Sequence, residues 1–285
     1  VLLDSLSQVE FWRLELNHPV FSDSFYKKAR AAITWLLSIM VIDTGHVANL
    51  GANDGAQLYS LNERDYDDFR PSLQLLSVLL NGTKLFDDPA CDASLDWLGL
   101  NNELPISKIQ LPSVVLRDSG IVAMRSDHCL AVVKLSDSKF RPSHSDCLHL
   151  DLFFRNENLL RDSGSYSYQD SLWHNYFSGT SAHNTIEFDE HDQMPKLSKF
   201  LFAKWLTNEH VGEISVDPSG ECWSGSYADS WGNFHERSVK ISAAELVVAD
   251  SIRGDFSNAT LRWRLMPGEW AIENNITGLY HVTNN

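Results

Sequence analysis

The sequence predicts an α+β chain in two parts, a helical segment over residues 1–104 followed by an antiparallel β-sandwich over residues 105–285. Three observations carry this. Apolar residues in roughly the first hundred positions recur at helical spacing, with short links and no strand between the runs. From Ser113 onward they fall instead into short β-rich runs punctuated by Gly, Asp, Asn and Ser. These runs follow one another without intervening helices, the order of an antiparallel sandwich rather than of βαβ units.

Residues 1 to 16 read as the first helix, with Leu2, Leu3, Leu6, Val9, Phe11, Trp12, Leu14 and Leu16 on a broad apolar face, and His18-Pro19 ends it. Ser22-Asp23 caps a second helix expected to run through Ile42, burying Phe25, Tyr26, Ala29, Ile33, Leu36, Leu37 and Met40, before Gly45 stops it. A Gly/Asn-rich loop from Asn49 to Ala56 follows. A third helix begins after Arg70-Pro71 and carries Leu73, Leu76, Leu79 and Leu80 as far as Asn81-Gly82; Pro89 to Leu98 adds a short fourth. Helices so linked pack in pairs, as in a bundle or an α/α toroid. Strands are expected at Ser113 to Leu116, Ile121 to Arg125, Leu130 to Leu135, Leu148 to Phe154, Asn184 to Phe188, Val239 to Ile241, Leu246 to Ile252 and Leu261 to Leu265. Neither an internal repeat nor a low-complexity linker divides the chain, so the two parts are expected to pack together.

A hydrophobic content of 43% with 11% aromatics supports a sizeable core. The charge of −15, from 38 acidic against 23 basic residues, is spread without long acidic runs and argues against nucleic-acid or anionic-membrane partners. An acidic polysaccharide would need basic residues gathered locally in its cleft. The four cysteines show no CxxC pair and are too sparse for a disulfide scaffold. No stretch reaches the roughly 20 apolar residues of a membrane span. The chain opens at Val1 within a helical pattern and without an initiator Met, so it reads as a fragment or a processed product.

The chemistry concentrates between Pro142 and Gln193. His144, Asp162 and His183 lie 18 and 21 residues apart at expected strand ends, where only a folded sheet can bring them together. Two imidazoles and a carboxylate suit zinc, with a fourth position left for water or another side chain. Against this, a His near a turn is commonly a surface or hydrogen-bonding residue, and the chain has eleven. Such long separations carry no local signature.

Three blocks in this region, His144-Ser145-Asp146, the run Leu159-Leu160-Arg161-Asp162-Ser163-Gly164-Ser165-Tyr166-Ser167-Tyr168, and Tyr176-Phe177-Ser178-Gly179-Thr180-Ser181-Ala182-His183-Asn184-Thr185, resemble the C-terminal part of the heparinase II/III family of polysaccharide lyases. The resemblance extends from the first helix to about Met266, the loop at Asn49 and the Asp67-Asp68-Phe69-Arg70-Pro71 block included. It implies the end of an α/α toroid followed by a β-sandwich, with the substrate cleft between them. It implies a structural zinc on His144, Asp162 and His183. The activity it implies is β-elimination at C4 of a uronic acid within an acidic polysaccharide. In that chemistry a base removes the C5 proton, a clamp neutralises the neighbouring carboxylate, and a Tyr or His protonates the leaving oxygen. The family's clamp and principal Tyr fall, by this resemblance, just before Val1.

On the sandwich side the resemblance points to Tyr168 as a cleft tyrosine with a catalytic role, its alternative being aromatic packing. Arg237, in His235-Glu236-Arg237, is expected to bind a substrate carboxylate or else to form a cross-strand ion pair. Asp146 is a candidate support for His144, Asn184 a strand tether, and His149 a satisfied sheet histidine. Several lyases carry a His two residues before the metal His. Here that position is Pro142, a departure that favours a second reading: a non-catalytic carbohydrate-binding or assembly protein in bacterial surface-polysaccharide biosynthesis. A toroidal glycoside hydrolase would need two carboxylates about 5–9.5 Å apart, and no such pair stands out.

Overall fold

A computed structural model describes residues 1–53, 55–58, 61–136, 141–243, 245–274 and 280–284; Asp54 of the expected Asn49–Ala56 loop lies outside them. Helix α1 spans Leu2–Glu15, α2 Asp23–Ser38, α3 Arg70–Asn81 and α4 Ala93–Trp97, the last preceded by a 3₁₀ turn at Pro89–Cys91. The ends follow from local chemistry. The Ser22 hydroxyl accepts the Phe25 amide at the start of α2, and Gly82 closes α3 in the left-handed conformation at φ 66°. Helix α2 stops at Ser38, short of the expected Ile42. The apolar residues beyond it stay buried, so the hydrophobic pattern runs on after the backbone has left the helix for a Met40–Val47 bridge.

Five antiparallel strands form the first sheet in sequential order: β1 Val114–Leu116, β2 Ile121–Ser126, β3 Cys129–Lys134, β4 Leu150–Phe154 and β5 Glu157–Leu160. Helix α5, Ser171–Ser178, then intervenes. It was not expected from the sequence, being only eight residues long, yet Asp170 caps it by accepting the Leu172 and Trp173 amides. After it come β6 Ile186–Phe188 and a hairpin, β7 Lys196–Ser198 with β8 Leu201–Phe202. The second sheet comprises β9 Thr207–Val211, β10 Ser215–Asp217, β11 Gly220–Ala228, β12 Phe234–Ile241 and β13 Leu246–Arg253. Strands β10 to β13 run side by side, and β9 also pairs with β11. Strand β14, Ala259–Leu261, pairs with β6, placing the last expected strand earlier than Leu261 to Leu265. The pair Trp270–Asn274 and Tyr280–Asn284 closes the chain. Among the described residues no helix is long and apolar enough to cross a membrane.

Strand parity sorts the core into two layers. Ile121 and Ala123 of β2, with Leu130 and Val132 of β3, face the helices and pack with Ile33, Leu36, Leu73 and Leu76. Their alternates Val122, Met124, Ala131 and Val133 face the second sheet and meet Trp223, Tyr227, Val239 and Ile241. The first sheet is thus buried on both sides, and the architecture is helices, sheet, sheet.

Arg125, near the end of β2, ties the helical layer to the sheet. Its Nη2 reaches the carbonyls of Leu37, Ser38 and Met40 at 3.2, 3.1 and 2.7 Å, serving the unpaired end of α2. Burial without a carboxylate partner lowers its pKa to about 10. Arg125→Ala should therefore cost about 2–3 kcal/mol, since a charge-assisted donor is lost and buried acceptors are left bare. Urea unfolding checks this, and a loss below about 0.5 kcal/mol would mean the helix end is satisfied otherwise.

Candidate functional site

The loop between β3 and β4 delivers His144, the turn after β5 delivers Asp162, and the 3₁₀ turn Thr180–Ala182 delivers His183 into β6. One ligand atom from each of the three lies within 4.8 Å of the others. His183 Nε2 is 3.1 Å from Asp162 Oδ2 and 3.2 Å from His144 Nδ1. All three residues are buried.

The turns are tied to one another. Ser163 donates to the Ala182 carbonyl, and the Thr180 hydroxyl donates to the Ser145 carbonyl. Gln193, fully buried, accepts the Cys147 amide and donates to the Cys147 carbonyl. Asp192 accepts the Thr180 amide at 2.7 Å, and a Cβ on Gly179 would stand 2.7 Å from that same carboxylate. His149 donates from Nε2 to Asp151 and accepts the Asn184 amide at Nδ1, so it is a satisfied sheet histidine, lying edge-on to the His183 ring. Asn184 donates to the Leu150 carbonyl and tethers the strand start.

Protonation follows from these partners. His183 Nδ1 lies 2.7 Å from the Gly179 carbonyl, so that nitrogen carries the proton and Nε2 turns a lone pair inward. Asp162 Oδ1 accepts from Asn49 Nδ2 at 3.0 Å and from the Gly164 amide at 2.6 Å. Asp162 Oδ2 is buried with no well-formed hydrogen bond, although it faces His183 Nε2. Burial drives the His144 pKa down to about 4, against the pull of Asp146. Burial opposes both remaining ionised forms. Even so, the closeness of His183 Nε2 holds Asp162 well below the usual carboxylate range, and the same approach raises His183 while no cation stands between them. Three electron-pair donors thus converge where a cation belongs, and the nitrogen and oxygen set fits zinc. Asp146 does not hydrogen-bond His144; it pairs with Lys134 Nζ at 2.6 Å.

Asn49 was not expected to take part. It belongs to the loop after the second helix, 113 residues before Asp162, and it orients the carboxylate from the helical layer. In the same loop the Ala52 and Asn53 amides donate to the Ser143 and Ser165 hydroxyls. Gly51, at φ +85°, has room only for hydrogen, because a Cβ would come within 2.5 Å of Ser143 Oγ.

Beside the cluster opens a cleft of about 570 Å³, the size of a small-ligand site. Its lining includes His144, Ser143, Tyr168, His174, Arg141, Lys199 and Phe200. No carboxylate is among the described residues that line it, in a chain whose net charge is −15. Tyr168 packs edge-on against His174 and Phe200, with ring centroids 5.6 and 5.4 Å away.

Arg237 is not in this cleft. It is fully buried: Nε and Nη2 bond Asp250, its partner across β12 and β13, and Nη1 donates to the Leu148 and Asn184 carbonyls at 2.7 and 2.6 Å. With the guanidinium so engaged and no exposed surface, the expected grip on a substrate carboxylate gives way to the alternative, a cross-strand ion pair. Arg237 bolts the second sheet to the segments that carry His149 and His183.

Helices packed on an antiparallel sandwich, with a His-Asp-His cluster at the edge of a cation-lined cleft, give this chain the fold of solved polysaccharide lyases. It aligns with a mutant of heparan sulfate lyase HepC from Pedobacter heparinus at a TM-score of 0.65 and 16% identity, covering 96% of this chain and 40% of that one. A heparinase III with methylated lysines aligns at 0.63 and 16% identity, covering 89% and 36%, and another heparinase III at 0.62 and 13%, covering 95% and 43%. The chain therefore spans about two fifths of the length of these lyases. No curated protein sequence matches it. Residues 109–278, more than half of the chain, match the family described as heparinase II/III-like, C-terminal, and the chain belongs to that family.

Proposed function

We propose that the chain carries the sandwich side of a polysaccharide lyase active site, acting on uronic-acid-containing polysaccharide by β-elimination, with a structural zinc on His144, Asp162 and His183. The observation that carries this reading is the cleft itself: it is free of carboxylates among the described residues, has Arg141 and Lys199 on its lining, and includes a metal-cluster histidine in its wall. An acidic chain that lines a cleft with cations and no described carboxylate is suited to a polyanion there. The helices between Leu2 and Trp97 fit the end of an α/α toroid, and the loop after the second of them reaches the cleft with Ala52.

Bound there, zinc would supply fixed geometry, holding the Ser143–His144 and Asp162–Ser165 turns at the cleft. The residues of this chain would bind and protonate. Arg141 and Lys199 draw in the acidic sugar, and the Tyr168 hydroxyl, which has no hydrogen-bond partner among the described residues, gives its proton to the departing glycosidic oxygen. In the elimination a base takes the C5 proton, the electron pair forms the C4–C5 double bond, and the C4–oxygen bond breaks. A proton donor of this kind contributes on the order of 10²- to 10⁴-fold.

The test is Tyr168→Phe in the full-length protein, assayed on a panel of uronate polymers by ultraviolet absorbance of the unsaturated product. The rate should fall by about 10²-fold or more with binding retained. An unchanged rate would remove the catalytic role. A second reading rests on Pro142, which is buried and carries no transferable proton where lyases place a His. It makes the chain a carbohydrate-binding or assembly protein, expected to bind the same polymers and release no unsaturated product.

A further inference from the structure

Strands β7 and β8 place Lys199 and Phe200 at their turn, and both line the cleft together with Ser143 and the Ser165–Gln169 segment. The turn is held from beneath: His174 of α5 lies with Nε2 2.7 Å from the Lys199 carbonyl, so that nitrogen donates and fixes the main chain there. Phe200 keeps 43% of its surface exposed while the rings of Tyr168 and His174 meet it edge-on at 5.4 and 5.6 Å. The Arg141 guanidinium lies 5.6 Å from the Phe200 ring centre. Neither Arg141 nor Lys199 has a carboxylate within ion-pair distance among the described residues, whereas Arg13, Arg64, Arg70, Lys84 and Arg262 all do. Two cations without a carboxylate partner among the described residues, flanking a half-exposed aromatic ring on a turn anchored by the His174 hydrogen bond, form a surface with an apolar centre and a cationic rim. A pyranose that bears an acidic substituent has the matching surface.

We infer that the β7–β8 turn, with Arg141, is a subsite for one anionic sugar, Phe200 stacking on the ring while Arg141 and Lys199 grip its carboxylate or sulfate. His174 is a positioning residue that acts through the Lys199 carbonyl. The inference rests on the proposed polysaccharide-binding reading of the cleft, but it does not require catalysis. Cation and aromatic here arrive from two separate segments, so the subsite depends on the hairpin turn keeping its place.

The experiment is calorimetric titration of the chain with three oligosaccharides of equal length: a sulfated heparan-type oligomer, its fully desulfated counterpart, and neutral chito-oligosaccharide. Arg141→Gln and Lys199→Gln should each weaken binding of an acidic oligomer by about 5-fold, and together by roughly 20-fold. They should also flatten its salt dependence and leave the neutral oligomer unaffected. Loss on both acidic oligomers assigns the carboxylate; loss on the sulfated one alone assigns sulfate. Phe200→Ala should weaken all three ligands, and Phe200→Leu, which keeps apolar bulk without a ring face, should do the same if stacking is the cause. Wild-type affinity for the acidic oligomers in the double variant would overturn the subsite, as would failure of the wild-type chain to bind any of them. If Tyr168→Phe abolishes elimination while the double variant binds normally, the subsite fails and the lyase reading stands. If the double variant loses binding while the wild-type protein releases no unsaturated product from any of the polymers, the reverse holds.

Discussion

His183→Ala is expected to abolish stoichiometric zinc and to lower the melting temperature by roughly 10 °C when both proteins are compared in zinc-containing buffer. With the free ion at about 1,000 times its dissociation constant, binding to the native state alone contributes about 4 kcal/mol, and in a domain of this size each kcal/mol moves the midpoint by about 2–4 °C. The expectation rests on the electron pairs that meet between His144, Asp162 and His183, with the His183 tautomer set by the Gly179 carbonyl. Chelation of the wild-type chain should reproduce most of the shift, and Asp162→Asn should reproduce the loss of metal. Elemental analysis and scanning calorimetry check both. A chelator-insensitive midpoint together with zinc-free wild-type protein would show that the cluster closes on a shared proton instead. Asn49→Ala keeps all three ligands and removes a hydrogen bond that aims Asp162; outer partners of this kind are commonly worth 10- to 100-fold in metal affinity.

The other large effect is expected at Arg237. Arg237→Met should destabilise the chain by about 3–5 kcal/mol, the range for breaking one side of a buried ion pair. Asp250 has its pKa lowered to about 2: burial opposes ionisation, but the hydrogen bonds from His235 and Arg237 outweigh it. Without the guanidinium this carboxylate loses both its bonds to Arg237, and the Leu148 and Asn184 carbonyls lose their donor. Arg237→Lys should recover little, because one ammonium cannot span the Asp250 carboxylate and the Leu148 and Asn184 carbonyls together. Denaturant unfolding decides the matter, and a loss below about 1 kcal/mol would mean that the sheets hold the site without this residue.

The first four helices and strands β1 to β4 were legible because their apolar residues repeat at a period that admits one backbone geometry, whereas the short β5 and α5 were not foreseen. The second sheet was legible only in part. Strand β11 carries Gly220, Ser224, Gly225 and Ser226 among its nine residues and makes no apolar run. The hairpin β7–β8 is too short and too polar to show periodicity. The metal-type cluster could be read from residue chemistry together with motif likeness. Arg237 was misread although a signal was present. Val239 and Ile241 point into the core, and stepping back by twos along β12 puts His235 and Arg237 on the same buried side. Asn49 left no trace of that kind, because its contact joins positions that meet only in the finished tertiary structure.

The first sheet has no face of its own to show to water. Detaching the helices would wet Ile121 and Val132, and detaching the second sheet would wet Val122 and Val133. Neither neighbour can leave without stripping a greasy surface bare. Movement at the cleft is therefore expected in the turns that line it, with the layers beneath held together.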